Sequence, residues 1–417
     1  MSLNRVIMLS VHSCPLDVLG ERDTGGMNVY VRELSRKLGK RGIRVDIFTR
    51  SKDPSVPKMV YMDEKVRVVH IKAGIEEPYH KNLIWNYLPE FLEGISRFAR
   101  EEGITYDLIH SHYWLSGWIA GKLSQEWGIP TVHMSHTLGF LKNQAAKSDD
   151  EKETPLRLEN EIKVLRAADR IVATTPLEKI QINREFDIPL NRIEVIPCGV
   201  DSSLFRPWKS EEAKSRLGLN GQRFILFVGR IDPIKGIDNL IRAMNILKKD
   251  HGNNGNGLKL FIIGGTLSDE SNEEKSELKN LMKLTSELNL EDQVEFLGTK
   301  RQDLLPYYYS GAEVCVLPSR YESFGIVALE AMACGTPVIA SEVGGLSYVM
   351  GDEEAGFLVP EGDPEILAER IGWIVANPFI KERFGRNAVK RAERFEWSLI
   401  VDKVISLYSQ LASNSSH

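Results

Sequence analysis

The segment RYESFGIVALEAMACGTPVIAS (320–341) sets two carboxylates, Glu322 and Glu330, eight residues apart in a run that is otherwise small and apolar. Ser323 is a favoured N-cap, 324–333 a good helix former and Gly335 a good stop, so a helix over 324–333 is predicted. Its first N–H groups, near Gly325 and Ile326, would offer an anion a positive helix end. At a rise of about 1.5 Å per residue the two carboxylates stand on the order of 10 Å apart. That separation is too large for one shared proton or one metal ion. It suits a ligand with two hydroxylated ends, such as a sugar and a ribose, because hydroxyls donate well to carboxylates. A salt bridge from Glu330 to a neighbouring helix is the purely structural alternative.

A second group of charges lies upstream, in FVGRIDPIKGIDNLI. Arg230 and Lys235 sit there in the loop leaving an apolar strand, the position where open α/β sheets bind ligands. Arginine grips phosphate oxygens with paired bonds and lysine adds a compact charge, so the two suit a diphosphate gathering negative charge as it leaves. Solvated surface cations are the plain alternative.

Near the N-terminus, LGERDTGGMNVYVREL puts Gly25 and Gly26 directly before a helix. Paired glycines allow a close backbone approach to a ligand, though a simple turn explains them as readily. The sequence is not GxGxxG, so a dinucleotide site is poorly supported. HSHYWLSG and HMSHTLGFLKN then bring His110, His112, His133 and His136 to two successive strand ends. No third ligand at metal spacing accompanies them and Asp-x-Asp is absent from the chain, so no metal site is expected. His136 stands out because Thr137, Lys142 and Arg157 follow it as a polar, cationic group suited to a phosphorylated acceptor.

The elements that would position these residues repeat in alternation. Apolar runs at 5–11, 44–49, 66–71, 108–112, 130–136, 170–175 and 192–197 read as strands buried on both faces, with helices such as 27–42 between them. The pattern restarts at 223–229, 259–265, 293–298, 313–319, 336–341 and 356–360. With 417 residues, two parallel-sheet α/β domains follow, joined near 198–210. A last helix at 397–412, with Leu399, Ile400, Val404 and Leu407 along one side, must pack on one of them. HGNNGNG (251–257) reads as a short flexible loop and LASNSSH as a polar fray.

A net charge of −5 gives no electrostatic reason to expect nucleic acid or an anionic membrane. Four cysteines far apart, without CxxC, suggest neither zinc nor a disulfide framework and fit a reducing cytoplasm. The opening MSLNRVIMLSV is too short to span a membrane and reads as a first strand.

GGMNVYV, GRIDPIKG, the two glutamates of ESFGIVALEAMACGTPVIAS and EVGGL (342–346) together resemble the retaining nucleotide-sugar glycosyltransferases of family 4 over nearly the whole chain. SVHSCPL, VDIFTR and TYDLIHSHYWLSG look most like the branch that transfers N-acetylglucosamine to inositol 3-phosphate in mycothiol synthesis, with the sucrose-phosphate synthases close by. The resemblance implies a GT-B fold: two Rossmann-like domains, 1–200 for the acceptor and 207–390 for the nucleotide-sugar, facing across a cleft, with the last helix crossing back to the first.

It also implies roles. Arg230 and Lys235 would hold the diphosphate with amides near Gly325, Ile326 and Val327, Glu330 the ribose, and Glu322 and His136 the donor sugar. Gly26 and Asn28 would border the reacting centre, and Lys81, Tyr113, Thr137 and Arg157 would receive the acceptor phosphate, with Lys142 added by its place in the cationic group. No cofactor and no metal is implied.

The donor would be UDP-N-acetylglucosamine or UDP-glucose, and the acceptor inositol 3-phosphate or, as the alternative, fructose 6-phosphate. An acceptor-free nucleotide-sugar epimerase and a non-catalytic nucleotide-sugar sensor of the same fold are the rivals. The oligomeric state, a homodimer included, is left open.

Overall fold

The computed structural model describes residues 3–17, 24–251, 257–265, 272–351 and 355–414, and the chain forms two compact units. Residues 252–256 of the HGNNGNG stretch, all of LGERD and the last three residues of the tail lie outside the described residues.

The first unit is built on Gly26–Cys198, completed by the N-terminal strand and the C-terminal helix. Its eight strands are β1 (Arg5–Leu9), β2 (Arg44–Arg50), β3 (Met59–Asp63), β4 (Val66–Ile71), β5 (Leu108–His112), β6 (Thr131–Met134), β7 (Arg170–Ala173) and β8 (Ile193–Val195). They lie in the order β3-β4-β2-β1-β5-β6-β7-β8, and all pairings are parallel except β3 with β4. Ile7, Leu9, Phe48, Val69 and Ile109 fill the core on one side of the sheet with Trp114 and Ile119. Hence the central strands read as unbroken apolar runs.

β3 was not expected. It is a partly exposed edge strand whose two-residue turn at Glu64 and Lys65 returns it antiparallel onto β4, so it never shows the continuous apolarity of its neighbours.

The helix Gly26–Lys40 buries Val29, Val31, Leu34 and Leu38, and Gly42 follows it at φ +91°. The closing helix Trp397–Asn414 belongs to this first unit. Its buried face is Trp397, Ile400, Val401, Val404 and Tyr408, whereas Leu399, expected on that side, is 50% exposed. The Trp397 ring meets Tyr30 edge-on at 5.4 Å, and the Tyr408 hydroxyl lies 2.5 Å from His110 Nδ1.

The second unit, Gly199–Glu396, holds β9 (Arg223–Val228), β10 (Leu258–Ile263), β11 (Val294–Gly298), β12 (Val314–Leu317), β13 (Val338–Ser341) and β14 (Gly356–Val359). Every pairing is parallel, in the order β11-β10-β9-β12-β13-β14. Relabelled from the unit's own first strand this is 3-2-1-4-5-6, the Rossmann order. The first unit repeats it once the edge strand β3 is set aside, with β8 added as a seventh strand. Each unit therefore has one place where successive connections leave in opposite directions, between β1 and β5 and between β9 and β12, and ligands bind outside the carboxyl ends of the strands at such points.

Candidate active site

In the second unit the β9/β12 switch point is bridged by one ion pair. Lys235, on the turn Pro233–Lys235 after β9, places Nζ 2.6 Å from Oε2 of Glu322, on the loop after β12. Both side chains are mostly covered, at 18% and 17% exposure, so the pair lies in a recess rather than on open surface. Arg320 ties the same two loops together through main chain: its N–H donates to Ile234 O at 2.8 Å and its Nε to Pro233 O at 3.0 Å. Gly236, at φ +64°, follows Lys235, and a Cβ there would fall 2.1 Å from Pro318 O, so only glycine lets the loops come this close. Arg230 is half-exposed on the first of these loops and pairs with Asp232 at 3.4 Å.

The helix behind Glu322 starts later than the sequence suggests. It spans Ile326–Ala333, and its N-cap is Gly325 at φ +100° rather than Ser323. The reason is local packing: a Cβ on residue 325 would meet Leu346 at 2.6 Å, so the chain turns there in a left-handed conformation and enters the helix two residues downstream. The first N–H groups of a helix have no partner within it, and Ile326 and Val327, half-buried, stand at this end. An anion at that end meets donors already oriented.

The EVGGL loop supports the same wall. Gly345 N donates to Glu322 O at 2.9 Å, and a Cβ on Gly344, at φ +51°, would lie 1.9 Å from that carbonyl. The two glycines are what let this loop seat Glu322.

Glu330 is buried, and its Oε2 accepts a hydrogen bond from the Tyr309 hydroxyl at 2.9 Å. Burial, and after it the Glu330 charge, pushes the Tyr309 phenol well up, so it remains a donor. The same two causes raise the neighbouring thiols of Cys315 and Cys334.

In the first unit the β1/β5 switch point carries His12 and Tyr113, with ring centroids 4.5 Å apart. Tyr113 and His136, at the ends of β5 and β6, have φ of +72° and +57°, and they are two of only four non-glycine residues with positive φ among those described. Backbone strain of this kind persists where the surroundings hold it, and it gathers at functional sites. His112 Nδ1 lies 2.9 Å from His136 Nε2, and Tyr30 packs edge-on against both rings. Burial lowers the pKa of His110 and His133 to about 3, and burial together with the other histidines holds His112 and His136 well below the usual range. The cluster is neutral at physiological pH.

Beside it, three cations converge on a residue that the sequence did not single out. Glu153 Oε1 takes Arg157 Nη1 at 2.7 Å, Lys142 Nζ at 2.8 Å and Lys81 Nζ at 3.9 Å. Arg157 also donates to Thr137 O at 2.8 Å and stacks its guanidinium over the Tyr113 ring at 4.7 Å. Burial alone would raise the Glu153 carboxyl, but Arg157, Lys81 and Lys142 outweigh it and bring it down to about 2. Lys81, Tyr113, Thr137, Lys142 and Arg157 are thus brought into one cluster. Asn28 is engaged elsewhere in the unit: its buried amide donates to Cys14 O at 2.7 Å and accepts from Ser13 Oγ at 2.9 Å, bracing the loop after β1. Gly26 is exposed at the start of its helix, and neither Gly25 nor Gly26 has a positive φ. A Cβ on Gly25 would touch nothing within 4 Å, so the protein's own packing does not demand that glycine.

Tyr309 and Glu153 were missed; His112 was named only as one of four strand-end histidines, and the Gly344–Gly345 support was visible only as the paired glycine of EVGGL. Among the described residues no three His, Cys, Asp or Glu side chains are grouped to hold a metal ion, and no helix is long and apolar enough to cross a membrane.

Comparison with known proteins shows the family to which both units belong. Residues 24–204 match Glycosyltransferase Family 4 and residues 209–391 match Glycosyl transferases group 1. The chain is 39% identical over 406 residues to a D-inositol 3-phosphate glycosyltransferase of Acidothermus cellulolyticus, covering 97% of this chain and 90% of that protein. It is also 39% identical to D-inositol 3-phosphate glycosyltransferase 2 of Catenulispora acidiphila, covering 97% and 95%. Among solved structures it is similar to the sucrose-phosphate synthase of Thermosynechococcus elongatus, with a TM-score of 0.91 and 36% identity over 99% of this chain and 100% of that one. Two Rossmann-ordered units of this kind make up the GT-B fold, and the chain is a glycosyltransferase belonging to family 4.

Proposed function

We propose that the protein moves a sugar, with retention of configuration, from a UDP-sugar to a phosphorylated acceptor. The donor is UDP-N-acetylglucosamine or UDP-glucose, and the acceptor inositol 3-phosphate. The observation that carries this reading is the Lys235–Glu322 pair at the β9/β12 switch point, next to Arg230 and the amide end of Ile326–Ala333. That combination supplies positive charge for a diphosphate and a carboxylate for sugar hydroxyls on adjoining loops.

The chemical problem is departure of a nucleoside diphosphate, whose cost is separated charge. Arg230, Lys235 and the N–H groups near Gly325, Ile326 and Val327 meet that charge where it develops, a preorganised electrostatic form of catalysis. Glu330, fixed by Tyr309, takes ribose hydroxyls. Glu322 holds the donor sugar, neutral His136 hydrogen-bonds it, and Gly26 borders the reacting centre.

The acceptor hydroxyl attacks from the face the leaving group departs, a diphosphate oxygen takes its proton, and no protein nucleophile is required. Asn28 acts through the Ser13–Cys14 loop that it braces. Lys81, Tyr113, Thr137, Lys142 and Arg157 receive the acceptor phosphate. Four buried free cysteines fit work in a reducing cytoplasm.

Fructose 6-phosphate is the second acceptor, favoured by the similarity to a sucrose-phosphate synthase. A mass-spectrometric screen of UDP-sugars against the two phosphates decides. One of them yields a product heavier by the sugar residue, and transfer to neither removes the proposal.

A further inference from the structure

The cationic cluster of the first unit is already occupied by the protein's own anion. Lys81, Lys142 and Arg157 come from three separate helices, Lys81–Ile84, Gly139–Gln144 and Pro155–Ala167, and all three point their charge at the single atom Oε1 of Glu153. The glutamate side chain is 5% exposed and that of Arg157 1%, so this is no loose surface pairing. Arg157 has a further carboxylate near it in Glu161, at 3.5 Å, but Glu161 is committed elsewhere: its Oε2 accepts Gly139 N at 2.8 Å.

Two buried donors on the stacked pair, Arg157 Nε and the Tyr113 hydroxyl, have no hydrogen-bond partner among the described residues. Buried polar groups are nearly always satisfied, so unmet donors beside a cation cluster point to a ligand richer in oxygen than one carboxylate.

The main chain of Glu153 is pinned independently of its carboxylate. Its N–H donates to Asn143 Oδ1 at 2.7 Å, and the next residue, Thr154, caps the following helix by accepting Arg157 N at 3.3 Å. The side chain can therefore leave its partners by rotation alone, without unfolding the turn.

We infer that Glu153 is an internal counter-ion seated in the acceptor's phosphate position, and that acceptor binding proceeds by displacing it. This rests on the reading of the cluster as an acceptor-phosphate site. A phosphate monoester brings more charge and three strong acceptor oxygens to the same cations, so it can outcompete one carboxylate where a weaker anion or a neutral sugar cannot. Glu153 then sets acceptor selectivity: it keeps the cations assembled and partly neutralised between turnovers, at the expense of acceptor affinity.

Glu153→Gln tests this, because it keeps the side-chain volume and removes the competing charge. The expected result is a KM for the phosphorylated acceptor lower by about tenfold, with the KM for the nucleotide-sugar as the internal control. The inhibition constant of inorganic phosphate, competing with that acceptor, falls in parallel. Inorganic phosphate also raises the melting temperature of the variant more than that of the unsubstituted protein.

If phosphate competes with the acceptor but the variant shows unchanged or higher constants, the role of Glu153 is refuted and the phosphate site stands. If phosphate competes with the acceptor in neither protein, the site itself falls and this inference with it. Should Glu153→Gln fail to fold, Glu153→Asp draws the carboxylate back by one methylene, and an acceptor KM that does not fall is the refuting outcome.

Discussion

Lys235 and Glu322 stand 87 residues apart in sequence, yet a 2.6 Å bond between them joins the loops of adjacent strands, β9 and β12. Each is the other's counter-charge in a mostly covered recess, so neither can be removed without leaving the other uncompensated.

Lys235→Ala is expected to lower kcat by at least about a hundredfold, the scale on which losing one preorganised donor to a developing charge is felt. Steady-state assays at saturating donor measure it. Near-normal turnover would take Lys235 out of the mechanism.

Arg230, Lys235 and a helix end carry the charge of the leaving diphosphate in this scheme, so activity is expected to survive excess EDTA. The check is product formation before and after chelation. Full loss with rescue by Mg²⁺ or Mn²⁺ contradicts it.

Gly344→Ala puts a methyl group 1.9 Å from the Glu322 carbonyl at a φ of +51°. A loss of about 1–3 kcal/mol in stability is expected, the cost of a strained backbone position, together with a fall in kcat/KM as Glu322 shifts. Denaturant melts and kinetics measure both. Gly121→Ala, inside the helix Tyr113–Trp127 with nothing within 4 Å, is the matched control and is expected to be neutral or mildly stabilising.

Acid should weaken the fold in two steps. His110 and His133 have folded pKa values lowered to about 3 from an ordinary value of about 6.5, so on acidification the unfolded chain binds protons that the folded one refuses. Their contribution is whole above pH about 6.5 and is lost as pH falls towards 3. Glu153, lowered to about 2 by its cations, adds the same sign only below the ordinary carboxylate value of about 4.5. Between pH 7.5 and 5 the histidines therefore lower the denaturant midpoint, while the Glu161 and Glu178 carboxyls, raised by burial, act in the opposite sense. The histidine share is read as the difference from a His133→Gln variant, and no difference in that window would refute the neutral cluster.

Most of the fold was legible because strands covered on both faces must be largely apolar, and thirteen of the fourteen strands among the described residues fall within apolar runs of the sequence, most of them unbroken. β3 escaped because an edge strand with one wet face carries no such demand. Leu399 misled because it is apolar without lying on the stripe that Ile400, Val404 and Tyr408 define. The helix start at Gly325 depended on Leu346, twenty-one positions away, which no local capping preference can report. The site shows the same limit. Arg230, Lys235, Glu322 and Glu330 could be named from residue type and strand-end position. The Tyr309–Glu330 and Lys235–Glu322 pairings, and the convergence of Lys81, Lys142 and Arg157 on Glu153, are products of tertiary structure.

The closing helix Trp397–Asn414 sets Trp397 on Tyr30 and Tyr408 on His110, inside the unit that the chain begins first. A ribosome therefore releases the whole of Gly199–Glu396 before that first unit can acquire its final wall. During synthesis the early sheet waits with an uncovered apolar face, while the later unit has all its own strands in hand. Maturation of the two halves is thus predicted to run against the order of translation, with the second complete before the first.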